Sequence, residues 1–121
     1  MRNEPKVIQG QTAQSNQEWF IANSLWRYKH TFIYQYLIGE IGGVKGAYAV
    51  DFLVTSTAPL STPMEYFGGH WHEGQLGADD RFRIIQINNH FGGQANDVVV
   101  LQNISTQEDA DKKVLAAIGR G

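Results

Sequence analysis

The feature that most constrains the fold is a strand pattern with an acid in its middle, at residues 47–54. Val50, Phe52 and Val54 occupy every second position, the period of two that indicates a β-strand. Asp51 lies between the first two of them. Because aspartate is depleted in strands and costly to bury without a partner, an acid at this position requires a reason. A metal ion is one such reason, and a buried salt bridge or a turn hydrogen bond is another.

A second acid follows in a similar setting. Residues 64–67 read Met-Glu-Tyr-Phe, which predicts another short strand with Glu65 inside it. Two glycines end this segment, and His70 and His72 come directly after them. Two strand acids followed by histidines fit a site for a hard cation with a proton carrier nearby.

Helix-start patterns divide the rest of the chain. Ser15 and Glu18 match a capping box, and the apolar spacing behind them predicts a first helix to about Tyr28. The pattern by itself assigns Glu18 the role of capping partner. Asp79 is the predicted cap of a second helix, which runs to Phe91. A second capping box at 105–108 predicts the last helix.

Strand patterns fill the intervals between these helices. Residues 31–38 are rich in β-branched and aromatic side chains, the glycine-rich stretch 39–46 predicts a hairpin loop, and 97–101 predicts a buried strand. The predicted order is α-β-β-β-α-β-α. This order is typical of an α/β or α+β domain with a mixed sheet flanked by helices.

Length and charge limit the functional classes. A chain of 121 residues is one domain, with 1–14 as a polar N-terminal arm and 15–121 as the folded unit. The net charge of −2 means that any nucleic-acid role needs a local basic surface. The chain has no cysteine, which excludes disulfides and thiolate metal sites. Since no apolar run approaches a membrane span or a secretory signal, we expect a soluble, cytoplasmic protein with no membrane partner.

The acids, the glycine turn and the Trp71-His72 dipeptide carry a family resemblance. Gly-x-x-x-Val-Asp-Phe, then a strand with Glu, then a turn ending in Trp-His resembles the PD-(D/E)XK nuclease superfamily. The similarity is to small members related to very-short-patch repair endonucleases and to small phage-type endonucleases, and it spans about residues 15–101. It implies a restriction-endonuclease-like core with the element order predicted above.

The resemblance also implies an activity, the metal-dependent hydrolysis of DNA phosphodiester bonds. Asp51 and Glu65 are then the ligands of Mg²⁺, for which Mn²⁺ can substitute, and Glu18 is a further acid near the metal. His72, with His70 as the weaker candidate, orients or deprotonates the attacking water. The DNA would be nicked by a monomer or cut on both strands by a homodimer.

The chain departs from the family at one important position. Many relatives carry a lysine two residues after the motif glutamate, where this chain has Phe67. A histidine, Arg81 or Arg83 could replace it, or the site could be inactive. Lys45, Arg81 and Arg83 are also the candidate contacts to the DNA backbone.

Two other functions remain open from the sequence. A nuclease-like fold without catalysis would serve as a DNA- or protein-binding module, and the missing lysine favours this alternative. The sequence His70-Trp71-His72-Glu73 also suits a cupin-like metal site through imidazole and carboxylate ligands. Cupins, however, are barrels of many short strands, whereas this chain has three helical patterns.

Overall fold

The computed structural model describes residues 6–41, 43–68 and 76–121. Its helices and strands, in chain order, are β1 Val7–Ile8, β2 Gln11–Thr12, α1 Asn16–Arg27, β3 Phe32–Ile41, β4 Val44–Val54, β5 Thr62–Tyr66, α2 Ala78–Phe91, β6 Val99–Leu101 and α3 Gln107–Ile118. The fold is a mixed α+β arrangement, as the sequence predicts. None of the helices in the described ranges has the length and apolar character that crossing a membrane requires.

The main sheet has four strands in the order β3-β4-β5-β6. β4 pairs antiparallel with β3 on one side and with β5 on the other, and β6 pairs with β5 in parallel. A parallel pair needs a crossover connection, which α2 provides between β5 and β6. The predicted adjacency of the two acid-bearing strands, β4 and β5, is therefore confirmed.

The helices cover the sheet through two apolar clusters. The larger cluster joins α1 and α3 to β3, β4, β5 and β6, and its buried residues include Leu25, Val114, Phe52 and Met64. The smaller cluster joins α2 to the sheet through Ile87 and Val50. Helical and strand periodicities place these residues on the inner faces, so burial of their side chains is the main force that positions the helices.

The N-terminal segment differs from its prediction. Residues 7–12 form the antiparallel hairpin β1–β2 rather than a polar arm, and Ile8 is fully buried in the larger cluster. The Gln9 amide donates to the Phe32 carbonyl at 2.6 Å and accepts from the Tyr34 amide at 2.8 Å, much as a neighbouring strand would. The prediction failed because one apolar side chain and one amide, with no visible periodicity, hold the hairpin against β3. The observed order thus begins with two short strands ahead of the predicted seven elements.

Helix starts were predicted to within one or two residues. Ser15 is the N-cap of α1 as expected, but the N-cap of α2 is Gly77, and Asp79 lies in the first turn without capping. The capping box of α3 is formed by Thr106 and Asp109, one residue later than predicted. Adjacent hydroxyl and acidic residues are equally good caps, so the sequence alone does not fix the register.

The β3–β4 hairpin is longer than predicted, because both strands continue into the glycine-rich stretch. Gly39 lies in β3 with φ of +76°, at a shift in the strand register between Ile38 and Glu40. A Cβ at this position would approach the Tyr48 ring to 2.6 Å. Glycine is therefore required here both by its backbone conformation and by the space that Tyr48 occupies.

Candidate functional site

Asp51 and Glu65 lie side by side on neighbouring strands. The register pairs Phe52 with Met64, and one step further along the same ladder Asp51 is opposite Glu65. Asp51 Oδ2 accepts a hydrogen bond from the Tyr66 backbone amide at 2.9 Å, and the Asp51 carboxyl group lies close enough to raise the pKa of Glu65. Because like charges directly opposite each other destabilise a sheet, this pair requires a proton or a cation between its members.

The guanidinium of Arg83, in α2, contacts Glu65. Its Nε lies 2.9 Å and its terminal nitrogen 2.7 Å from Glu65 Oε1, and it also donates to the Ala49 carbonyl. The Glu65 side chain is only 2% exposed, whereas that of Arg83 is 31% exposed. The guanidinium thus connects a buried acid to the protein surface.

The surroundings of Glu65 keep it protonated near neutral pH. Burial, followed by the hydrogen bond and the negative charge of Asp51, raises the pKa of Glu65 to about 9. Arg83 acts in the opposite direction but does not reverse the shift. At neutral pH the Asp51–Glu65 pair therefore shares a proton, which a bound cation would have to displace.

Glu18 adds a third acid from α1. Its carboxylate is 7% exposed and accepts hydrogen bonds from the Tyr34 hydroxyl at 2.8 Å, the Gln35 amide at 3.2 Å and the Ser15 hydroxyl at 3.2 Å. Burial, and then the charge of Asp51, raises the pKa of Glu18. The charge of Asp51 thus acts on both Glu18 and Glu65, and these three acids are here called the acid row.

The predicted role of Glu18 as a capping partner is only half correct. Ser15 accepts a hydrogen bond from the Glu18 backbone amide, as a cap does. The Glu18 carboxylate, however, turns toward β3, where burial raises the pKa of the Tyr34 hydroxyl that it contacts to about 12. Glu18 thus contacts both the cap residue Ser15 and strand β3, and its place near a metal stays a prediction.

Other predicted residues fall outside this arrangement. Arg81 is exposed and donates to the Leu76 carbonyl at 2.7 Å, and Lys45 is exposed in the β3–β4 hairpin opposite Glu40. Their DNA contacts stay predictions. His72 and His70 lie outside the described residues, so their roles also stay predictions.

Sequence reasoning missed Tyr34 and Gln35 as partners of Glu18. Both lie in a segment whose aromatic and β-branched residues suggest only a strand. The signal that could have found them is the polar Gln35 in the middle of that segment, since a strand beneath a helix rarely retains a long amide without a partner. The ion pair of Arg83 with Glu65 had no local signal, because it joins a strand to the following helix.

The donor chemistry of the acid row fits Mg²⁺, the metal that the resemblance implies. Magnesium is bound through one or two carboxylates and keeps most of its waters, and Asp51 with Glu65 supplies two. Within residues 6–41, 43–68 and 76–121, no set of three or more His, Asp or Glu residues is arranged to hold a metal ion. The acid row therefore offers a two-carboxylate site with Glu18 beside it, rather than a closed cage.

No protein-family model, curated protein or solved structure matches this chain.

Proposed function

We propose that the chain is a Mg²⁺-dependent endodeoxyribonuclease with a restriction-endonuclease-like core. The observation that carries this proposal is the pairing of Asp51 with Glu65 across β4 and β5, with Glu18 of α1 beside them. The resemblance of the sequence assigns the metal to these same two strand acids. Two carboxyl groups with one guanidinium, that of Arg83, are only partly compensated, and this favours a cation site because each acid disfavours the charge of the other.

The acids would bind the metal, and Glu18 would act next to it. Asp51 and Glu65 are the proposed ligands, with Mn²⁺ as an alternative to Mg²⁺. Bound in this way, the metal ion supplies activation of water and neutralisation of charge on a phosphate. Glu18, whose carboxylate is held by three hydrogen bonds, would orient a water molecule beside Asp51.

Arg83 is the proposed replacement for the lysine that is missing at Phe67. Its guanidinium contacts Glu65 and is partly exposed, so a scissile phosphate bound beside Glu65 would lie within reach of Arg83. A planar guanidinium binds phosphate oxygens through two parallel hydrogen bonds. Lys45 and Arg81 are the proposed further contacts to the DNA backbone, and His72 the proposed general base.

Metal titration and plasmid nicking together test the proposal. Isothermal titration with Mn²⁺ and with Mg²⁺ should show one binding site, and supercoiled plasmid should become nicked only when a divalent metal is present. Linear product would indicate paired cleavage by a homodimer, and open circles alone would indicate a monomer. Absence of both metal binding and nicking would overturn the proposal.

The second candidate function is a nuclease-like module that binds DNA or protein without cutting. The contact between Arg83 and Glu65 favours this second function, because the Arg83 guanidinium already occupies one oxygen of the carboxyl group that would bind the metal. Such a module would bind DNA without nicking it, and removal of Arg83 would leave that binding intact apart from one phosphate contact.

A cupin-like metal protein is not favoured by the architecture. Cupins close two sheets of short antiparallel strands into a barrel, whereas residues 6–41, 43–68 and 76–121 form one four-stranded mixed sheet, one small hairpin and three helices.

A further inference from the structure

Gln35 has a backbone conformation that is unusual for its place in the fold. It lies within β3, yet its φ is +56°, in the left-handed region that residues with a Cβ rarely adopt. Residues held there cost stability and persist only where the surrounding structure compensates.

A β-bulge does not explain this conformation. The ladder pairs Tyr34 with Phe52 before Gln35 and Tyr36 with Val50 after it, so the register is the same on both sides. The register shift of β3 occurs later, between Ile38 and Glu40, and there the left-handed residue is Gly39. At the register shift β3 therefore has a glycine, Gly39. At residue 35, where the register is regular, it has a glutamine in the same left-handed region.

The side chain of Gln35 accounts for the difference. Gln35 and Asp51 are the residues that lie between the two pairs just named, one on each strand. Its Nε2 donates to Glu18 Oε1 at 3.2 Å, and its Oε1 accepts from the Gln14 amide at 3.5 Å. The amide therefore joins the strand beside Asp51 to the carboxylate of α1, and Gln14 sets which end of the amide faces Glu18.

We propose that Gln35 is a positioning residue that holds the Glu18 carboxylate beside Asp51, and that its left-handed backbone is retained for this contact. The inference rests on the proposed function, because metal binding at the acid row is the property that it affects. Groups that orient the acids around a metal typically change its affinity by about 10- to 100-fold when they are removed.

Two substitutions at this position separate the backbone from the side chain. Gln35→Gly removes the amide and releases the strained φ, whereas Gln35→Ala removes the amide and keeps a Cβ in the left-handed region. We expect both variants to weaken Mn²⁺ binding by about tenfold in isothermal titration. In urea unfolding without metal, Gln35→Gly should have a higher midpoint than Gln35→Ala, and a midpoint at or above that of the parent chain.

Lys29→Gly is the matched control. Lys29 also has a left-handed backbone, with φ of 69°, but it is exposed just after α1. This variant should raise the unfolding midpoint and leave Mn²⁺ affinity unchanged.

The outcomes distinguish this inference from the proposed function. Weaker Mn²⁺ binding in both Gln35 variants with a stable Gln35→Gly supports the inference. Parent-like Mn²⁺ affinity in both variants, whatever their stability, overturns it and leaves the proposed function standing. A parent chain that binds no Mn²⁺ at all overturns the proposed function and this inference with it.

Discussion

Two polar clusters in this molecule combine charged groups in opposite ways. At the α1–α3 interface, Asp111 accepts hydrogen bonds from Ser24 at 2.6 Å and Gln107 at 3.0 Å and forms an ion pair with Arg27. Here one negative charge meets donors and a cation. In the acid row, three carboxyl groups are brought together, and Arg83 alone supplies an opposing charge among the contacts described.

The Asp111 cluster and the acid row have opposite effects on the stability of the fold. The Asp111 cluster has the composition of a stabilising contact, since its acid has a partner for each oxygen. The acid row lowers stability by its own composition, because burial and the neighbouring charge raise the pKa of Glu65 and of Glu18. Carboxyl groups with pKa values shifted in this way are concentrated at functional sites, and for this reason the acid row, rather than the Asp111 cluster, is the proposed metal site.

The largest expected difference between the two clusters is in the rate of plasmid nicking after one of their acids is substituted. Asp51→Asn keeps the shape of the side chain and removes its charge, so we expect the rate of plasmid nicking to fall by about a thousandfold or more, since a bound metal supplies several kcal/mol and each 1.36 kcal/mol is tenfold. Asp111→Asn should nick at a rate close to that of the parent chain. Parent-like nicking by Asp51→Asn would make Asp51 a structural acid.

The free energy of unfolding should depend more on Asp111 than on Asp51, the reverse of the order expected for activity. Asp111→Ala removes the charged acceptor that Ser24, Gln107 and Arg27 share. It should lower the free energy of unfolding by about 1–3 kcal/mol, because hydrogen bonds to a charged group are lost. Asp51→Asn at pH 8 with EDTA should leave it unchanged or raise it, because without the charge of Asp51 the pKa of Glu65 falls and less free energy is lost in keeping Glu65 protonated. Urea unfolding measures both, and an Asp51→Asn variant as unstable as Asp111→Ala would remove the distinction between the clusters.

The dependence of stability on pH gives a third contrast. The pKa of Glu65 is about 9 in the folded chain, above its ordinary value of 4.5, so the folded state holds a proton that the unfolded state loses. Without metal, the free energy of unfolding should therefore fall as the pH rises from about 4.5 toward 9.

Glu65→Gln should flatten this profile, and Asp111→Asn should leave its slope unchanged. Mg²⁺ affinity should rise over the same range, by at most about tenfold per pH unit if one proton is released. A stability profile that rises between pH 5 and 8 would show that Glu65 is ionised in the folded state.

The smallest expected effects concern charges outside both clusters. Lys45→Ala and Arg81→Ala should each reduce the salt dependence of DNA binding by about one unit of slope if the residue contacts a phosphate. Lys112→Ala is the control, because Lys112 pairs with Glu108 on the exposed side of α3. Fluorescence anisotropy at several salt concentrations measures the slopes, and binding that ignores salt would argue against a DNA partner.

The parts of the site predicted from sequence are those with a local signal. Asp51 and Glu65 interrupt two apolar strand patterns that a short loop connects, and such strands usually pair. Glu18 follows a recognisable N-cap. These patterns were sufficient to bring the acids together in the prediction, although they favoured the cap as the role of Glu18.

The remaining parts depend on tertiary contacts that leave no local pattern. The ion pair of Arg83 with Glu65 is set by how α2 packs on the sheet. The positive φ of Gln35 opposes its strand propensity and is compensated by a contact to another element. The β1–β2 hairpin depends on the burial of a single residue, Ile8, in a core formed by the rest of the chain.

The central claim is that a divalent cation binds between Asp51 and Glu65. Crystals of the protein grown with Mn²⁺ test it directly, because anomalous scattering locates the metal without assumptions about its ligands. The account predicts one strong peak within coordination distance of both carboxylates, with the Arg83 guanidinium moved away from Glu65. A map with no peak there, and with Arg83 still paired to Glu65, would contradict it.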